Sequence, residues 1–338
     1  MTQNIHLWLQ GEEMTRFAGA SLSHSLYDIP VTIWLTGELG TGKTTFLQAF
    51  ARELGVRGVL SSPTFALEQR YQTNMFGELL HIDLYRLSSK ESCELIHSSA
   101  DHPGIRCVEW SERIPVSERM NGIVISLHDR NDGTWRELSV DFYDFPVPTD
   151  DLITRWRDEF FLTSLVRRHC DAVADVAVRL SHSTAERGVI VRIQALRAAA
   201  KLHDLFRFLD FRSEAAHGEN KVNMERSTCW KAVRTMFPGI KHEAACAAFL
   251  SQHGYQAVGR IVQTHGITLA SAEGTTIEQK LLYYADKRVK HDEVVPLEER
   301  FRDYAERYGS RGVSSVSETW HEEARSIEKE LFPDGPPF

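Results

Sequence analysis

Two groups of residues in this chain have the types and spacing for chemistry. The first is Gly37-Glu-Leu-Gly-Thr-Gly-Lys-Thr-Thr45, which fits G-x-x-x-x-G-K-[ST] with Gly37, Gly42, Lys43 and Thr44 at the required places. In such a loop the backbone N–H groups close around phosphate oxygens, and the lysine brings a cation to the β and γ phosphates. The Thr44 hydroxyl suits magnesium, at a helix N-terminus whose dipole favours anions. Glu38, Leu39, Gly40, Thr41 and Thr45 complete the candidate nucleotide cradle. Downstream, two apolar runs end in acids, Asp83 after Leu79-Leu-His-Ile82 and Glu109 after Ile105-Arg-Cys-Val108. Acids at strand ends in phosphate-loop enzymes help hold magnesium. Two of them can divide the work between metal and water, and the sequence alone does not say which does which.

The second group is His169, His203-Asp204, His242, His265 and Asp286. A single histidine within an apolar helical stripe is more often a hydrogen-bonded core residue than a ligand. Here each falls on a different predicted helix or at a helix end, and a bundle can point such residues at one centre. Imidazole and carboxylate suit iron, manganese, cobalt, nickel or zinc, and no thiolate belongs to the set. Neighbouring helix residues do not share a face. His203 and Asp204 can both ligate only if the ions lie between their directions, for instance with Asp204 bridging two.

The elements that must position these groups follow from periodicity. Val31-Thr-Ile-Trp-Leu35 reads as a buried strand entering the loop; Phe46, Leu47, Phe50, Ala51 and Leu54 then recur at helical spacing, with Gly55 as a cap. Gly122–Leu127 and Glu137–Phe142 read as a hairpin closed by the turn chemistry of Asp129–Gly133. Phe145-Pro-Val-Pro148 breaks the pattern and Thr149-Asp-Asp151 offers a helix cap, which predicts domains over 1–147 and 148–338. Beyond that point the period is helical. Leu162, Leu165, Val166, His169, Val173, Val176, Ala177 and Leu180 trace one face, and Leu196, Ala200, His203 and Asp204 place a second helix. Asp210–Thr228 reads as an irregular insertion, Thr275–Glu278 as a capping box, and 297–308 and 318–331 as charged amphipathic helices.

Composition bounds the rest. The 338 residues suffice for two cores, and 42% apolar with 25% charged residues is ordinary for a globular protein. A formal charge of −8 argues against wrapping nucleic acid unaided. Five cysteines without a C-x-x-C pair suit reduced thiols. The N-terminal stretch lacks a signal-peptide pattern and no segment has the length of a membrane span, so the expected location is the cytoplasm.

GELGTGKTTF, SPTF, HIDLYRL and VEW, in this order over about residues 5–145, resemble the TsaE family of bacterial tRNA threonylcarbamoyladenosine synthesis. The resemblance implies an α/β phosphate-loop fold, ATP hydrolysis with magnesium, and partners of the TsaB and TsaD type. It further implies that Lys43 and Thr44 hold phosphate and magnesium, that Asp83 is the magnesium-side acid, and that Thr64 is a switch-like residue near the γ-phosphate. Glu109 would be needed for hydrolysis, with Trp110 its aromatic neighbour at the nucleotide. Over about 160–310, the six-residue His/Asp set with Leu281-Leu-Tyr-Tyr-Ala-Asp-Lys-Arg288 resembles the HD superfamily of metal-dependent phosphohydrolases. The likeness is to its two-metal branch and to YqeK-type nucleotide-cleaving members. It implies an all-α bundle, one or two divalent transition metals, a catalytic Asp204 and a nucleotide or related phosphoester substrate. Lys287 and Arg288 either bind phosphate or lie as exposed helix charges. The expectation is a bifunctional enzyme. Its alternative is a helical half that senses or docks nucleotide and regulates the ATPase.

Overall fold

The computed structural model describes residues 3–63, 66–130, 133–211, 223–266, 275–308 and 314–338. The chain forms two compact units. Unit 1 comprises Met1–Phe145 with Thr184–Arg192, and unit 2 comprises Pro146–Ser183 with Ile193–Phe338.

Unit 1 contains β1 (Gln3–Gln10), α1 (Gly11–Ser23), β2 (Val31–Thr36), α2 (Lys43–Glu53), β3 (Glu68–Gln72), β4 (Glu78–Asp83), α3 (Ser89–Ser98), β5 (Ile105–Glu109), α4 (Val116–Arg119), β6 (Ile123–Arg130) and β7 (Trp135–Phe142). The strands form one sheet in the order β1-β7-β6-β2-β5-β4-β3. Strand β2 runs parallel to β5 and β6, and β5 parallel to β4. β2 and β5 are buried on both faces, and the polar Thr32 and Arg106 within them hydrogen-bond each other at 3.0 Å. At the edge, β1 alternates Gln3, Ile5, Leu7 and Leu9 inward with Asn4, His6, Trp8 and Gln10 outward. The expected hairpin is present, β6 pairing β7 from Ile123↔Phe142 to Arg130↔Trp135. Helix α1 lies directly against α2, because a Cβ on Gly19 would fall 2.2 Å from the Phe46 carbonyl oxygen.

The segment 184–192 is a working part of unit 1. The Ile190 amide donates to Ser21 Oγ at 3.0 Å. Arg192, fully buried, makes a bidentate pair with Asp144 at 2.7 Å on each nitrogen and donates from Nε to the Ser25 carbonyl. Its guanidinium lies over the Phe142 and Phe145 rings, 4.2 and 4.5 Å from their centroids. Such a pair is costly to break, since the remaining charge stays buried without a partner.

Unit 2 is helical: α5 (Asp150–Glu159), α6 (Ser164–Glu186, whose last residues count with unit 1), α7 (Ile193–Leu202), α8 (Met224–Met236), α9 (His242–Gln252), α10 (Gln256–Gln263), α11 (Ile277–Lys287), α12 (Leu297–Tyr308) and α13 (Ser314–Leu331). A two-strand ribbon, β8 (Val289–Lys290) and β9 (Glu293–Val294), follows α11. Helix α7 packs against α10 and α11, and its Leu196, Ala199 and Ala200 have no exposure. Among the described residues no helix is long and apolar enough to cross a membrane.

Three local expectations change. His203 and Asp204 lie in a turn just past the end of α7, not on it. A turn can aim adjacent side chains at one centre, which a helix cannot. The irregular stretch is shorter than 210–228: a 3-10 turn covers Arg207–Asp210, and α8 begins at Met224 behind an Asn223 cap. Residues 212–222 lie outside the described ones. The capping box of α11 is one residue later than the motif suggested, pairing Thr276 with Gln279.

Arg192→Ala should destabilise unit 1 by about 3–5 kcal/mol, because Asp144 stays buried without its guanidinium. Hydrogen exchange of the β1 and β7 amides would read the loss. A chain truncated at residue 147 should show the same defect, as it lacks Arg192 altogether; wild-type protection in both would refute the role of this segment.

Candidate functional site

In unit 1 the parallel register brings the chemistry together. Leu35 at the end of β2 pairs with Glu109, and Glu109 pairs with Asp83, so three adjacent strands deliver the phosphate loop and both acids to one edge. The loop turns at Gly37 with φ 139°, where a Cβ would meet the Leu127 carbonyl oxygen at 2.3 Å. Gly42, at φ 100°, caps α2 and lets Lys43 begin the helix. Lys43 Nζ donates to the Gly37 and Glu38 carbonyls at 2.7 and 2.8 Å and sits 3.9 Å from the Trp110 ring centroid. Burial lowers its pKa, against the opposing pull of Glu109, Glu112 and Asp83.

The Thr44 hydroxyl lies 3.1 and 3.0 Å from the two Glu109 oxygens. His81, buried in β4, reaches Glu109 Oε1 from Nε2 at 2.9 Å. Asp83 accepts from Ser62 Oγ at 2.7 Å and from the Tyr85 amide at 2.9 Å. Trp110 adopts φ 60° and packs against Tyr85, their ring centroids 4.8 Å apart. The structure thus groups Gly37, Lys43, Thr44, Asp83, Glu109 and Trp110. Thr64 lies outside the described residues. His81 was missed in the sequence, although its alternation with Asp83 along one strand was the available signal.

In unit 2 the six His/Asp residues converge. Three histidines are fixed from behind by backbone carbonyls. His169 Nδ1 meets the carbonyl of His291 at 2.7 Å, His203 Nδ1 that of Ala200 at 2.7 Å, and His265 Nδ1 that of Val262 at 2.6 Å. His242 Nδ1 is held by Asp210 Oδ2 at 2.5 Å. This arrangement leaves each Nε2 facing inward, free to act as a donor atom. His169 and His203 present Nε2 to Asp286 Oδ1 at 3.1 and 3.8 Å. Asp204 faces both ways, with Oδ1 2.9 Å from His242 Nε2 and 3.6 Å from His265 Nε2, and Oδ2 3.9 Å from His203 Nε2.

The donor set fits divalent metal. His169, His203 and Asp286 offer ligand atoms within 4.8 Å of one another, as do His203, Asp204 and His265. His203 Nε2 is fully buried and has no hydrogen-bond partner among the described residues, an arrangement that burial disfavours unless something binds there. Burial pushes His203 down to about 3, so its imidazole is neutral. Burial also opposes charge on His242, but Asp204 and Asp210 outweigh it and raise the ring to about 9. Asp204 and Asp286 stay well below the usual carboxylate range despite burial. Arg207 and His203 stabilise the first carboxylate, Lys287 and His169 the second.

Lys287 and Arg288 are both buried, so neither is an exposed helix charge. Lys287 Nζ donates to Asp286 Oδ2 at 2.7 Å and to the His265 carbonyl at 3.0 Å. Arg288 bonds the Val295 carbonyl, the Tyr284 hydroxyl and the Phe338 carbonyl. These contacts give Arg288 a packing role. Sequence reasoning missed Asp210, Glu243 and the His291 carbonyl; the acid beside His242 was the one usable sign.

The family model described as "Threonylcarbamoyl adenosine biosynthesis protein TsaE" matches residues 9–137. The chain is 41% identical over 107 residues to the tRNA threonylcarbamoyladenosine biosynthesis protein TsaE of Aquifex aeolicus, covering 31% of this chain and 75% of that one. It is 36% identical over 118 residues to the protein of the same name from Nostoc, covering 33% and 72%. Among solved structures, Bacillus subtilis YdiB aligns with 24% identity and a TM-score of 0.34, over 42% of this chain and 88% of that one. Residues 9–137 carry the phosphate loop, the two strand-end acids and Trp110, and with a relative 41% identical over three quarters of its length the chain belongs to the TsaE family.

Proposed function

We propose that unit 1 is an ATPase serving tRNA threonylcarbamoyladenosine synthesis together with proteins of the TsaB and TsaD type. The cluster of Lys43, Thr44, Glu109 and His81 at the ends of adjacent parallel strands carries this reading. Lys43 and the loop amides would bind the phosphates, while Thr44 and Asp83 would hold magnesium, whose charge stabilises the transferring phosphoryl group. Glu109 is the acid needed for hydrolysis. Its hydrogen bond to Thr44 ties it to the metal side as well, and His81 fixes its carboxylate from the opposite side.

Lys43→Ala should lower phosphate release from ATP at least about 100-fold, since a donor aimed at developing charge is lost. Turnover at the wild-type rate would sink the assignment. Glu109→Gln should slow hydrolysis and also weaken magnesium-dependent ADP binding, leaving magnesium-free ADP binding unchanged. His81→Phe keeps a planar ring and removes the donor. It should weaken only the magnesium-dependent affinity, about tenfold, as outer partners of metal ligands do. Equal shifts with and without magnesium would show that His81 acts on the fold alone.

For unit 2 we propose an HD-type metal-dependent phosphohydrolase acting on a nucleotide or related phosphoester. Asp204, with one oxygen toward His242 and His265 and the other toward His203, supports a bridging ligand between two transition-metal positions. His169, His203 and Asp286 would complete one position, and His242 and His265 belong to the other. Bound metal would supply an activated water and polarise phosphoryl oxygens. The chain's part is to hold the Nε2 atoms aimed at the centre, through the partners of each Nδ1. The full-length protein should carry divalent metal and lose phosphohydrolase activity on chelation. Asp204→Ala should lower both metal content and hydrolysis more than any single histidine change, whereas His182→Ala, exposed and outside the set, should match wild type. Metal retained with no hydrolysis across a nucleotide panel would favour the sensing role.

A further inference from the structure

The six-residue set divides unevenly about Asp204. His169, His203 and Asp286 stand on one side of the shared carboxylate, and only His242 and His265 on the other. A third residue on that second side has the burial and the chemistry to fill the gap. Glu243, the second residue of α9, is 6% exposed, and its Oε2 lies 3.3 Å from His242 Nδ1. The single Nδ1 hydrogen of His242 is committed to Asp210, at 2.5 Å. Glu243 Oε2 is therefore left without a hydrogen-bond donor among the described residues. Glu243, His242 and His265 offer ligand atoms that all lie within 4.8 Å of one another.

The chain also makes room for this carboxylate. A Cβ on Gly266 would lie 1.9 Å from Glu243 Oε1 and 2.7 Å from its Cδ, so the residue that follows His265 has no side chain where Glu243 stands. The first turn of α9 favours negative charge through its dipole. That effect is small beside the desolvation of a buried carboxylate oxygen with no donor. A bound cation would satisfy such an oxygen.

We propose that Glu243 is a further metal ligand, completing with His242, His265 and the shared Asp204 a position of two imidazoles and two carboxylates. It rests on the metal-centre reading of unit 2 and extends it: both positions then have the same donor types. Oxygen-rich mixed sets of this kind suit manganese, iron or cobalt, and manganese is the probe of choice.

The test compares manganese stoichiometry and affinity, by calorimetry and elemental analysis, in the full-length wild type, Glu243→Gln and Gly266→Ala. Wild type should bind two ions. Glu243→Gln should bind one tightly and the second at least about thirtyfold more weakly. In the presence of chelator this variant should melt no lower than wild type, because a neutral amide replaces an uncompensated buried charge. Gly266→Ala retains the carboxylate but displaces it, and should lose the same ion, which provides the answer should Glu243→Gln fail to fold. Two ions bound by both variants with unchanged affinity would overturn the ligand role while leaving the metal centre standing. A modest weakening at unchanged stoichiometry would overturn the ligand role equally. That is the pattern expected of Asp210→Asn, which reaches the centre through His242 Nδ1 and Arg207. A wild type that binds no manganese would overturn the metal centre itself and Glu243 with it.

Discussion

Glu109 is a carboxylate only 2% exposed at the end of a parallel strand, and its hydrogen bonds to Thr44 and His81 constrain everything around it. Thr44 must open a helix at the proper height, so Gly42 has to turn through φ 100° just before it. His81 must point to the same side of the sheet as Asp83, two residues on, which the pleat of β4 provides. The register of β4 and β5 then decides whether imidazole and carboxylate meet, and pairing His81 with Cys107 and Asp83 with Glu109 allows it. A slip of one residue would turn His81 to the opposite face. The packing of Gly19 against Phe46 holds α2 at the distance this geometry needs.

Unit 2 meets the same problem with the opposite material. A helical core has no strand register to align its polar groups, so helix ends and turns do the aiming. Each inward histidine is fixed through Nδ1 by a carbonyl near a helix end or in a turn, or by a carboxylate, so that its free nitrogen faces the centre. Lys287 ties Asp286 to the His265 carbonyl and so joins the end of α11 to the end of α10. Outer contacts of this kind are what give a ligand set fixed geometry. They also explain how several charges persist in an interior that would otherwise expel them.

The helical span of the chain is interrupted by a piece of the other unit. Residues 184–192 fill a place in unit 1 that the first 145 residues leave open, with Arg192 neutralising Asp144. A compact unit need not be a continuous stretch of sequence. Ile190 and Val191 are fully buried, so this segment is bound by apolar packing as well as by charge.

Much of this was legible in the residues themselves. The phosphate loop is a local motif whose function depends on a few consecutive backbone angles, so Gly37, Gly42, Lys43 and Thr44 could be assigned from spacing alone. The acids Asp83 and Glu109 were visible because apolar runs lead into them, and the alternation of Leu138, Val140 and Phe142 fixed a strand of the hairpin. The histidines of unit 2 could be picked out by type and order as candidates, and the structure brings them together. Other features depended on neighbours far apart in the chain. That His81 touches Glu109 follows from the pairing of two strands, and that Arg192 belongs to the first unit follows from a packing choice 48 residues away from Asp144. The turn at His203-Asp204 and the room that Gly266 leaves for Glu243 were likewise settled only when helices met. Local backbone preference and side-chain type are written in neighbouring residues. Which buried charge compensates which is decided by tertiary packing, because that alone fixes distance and access to water.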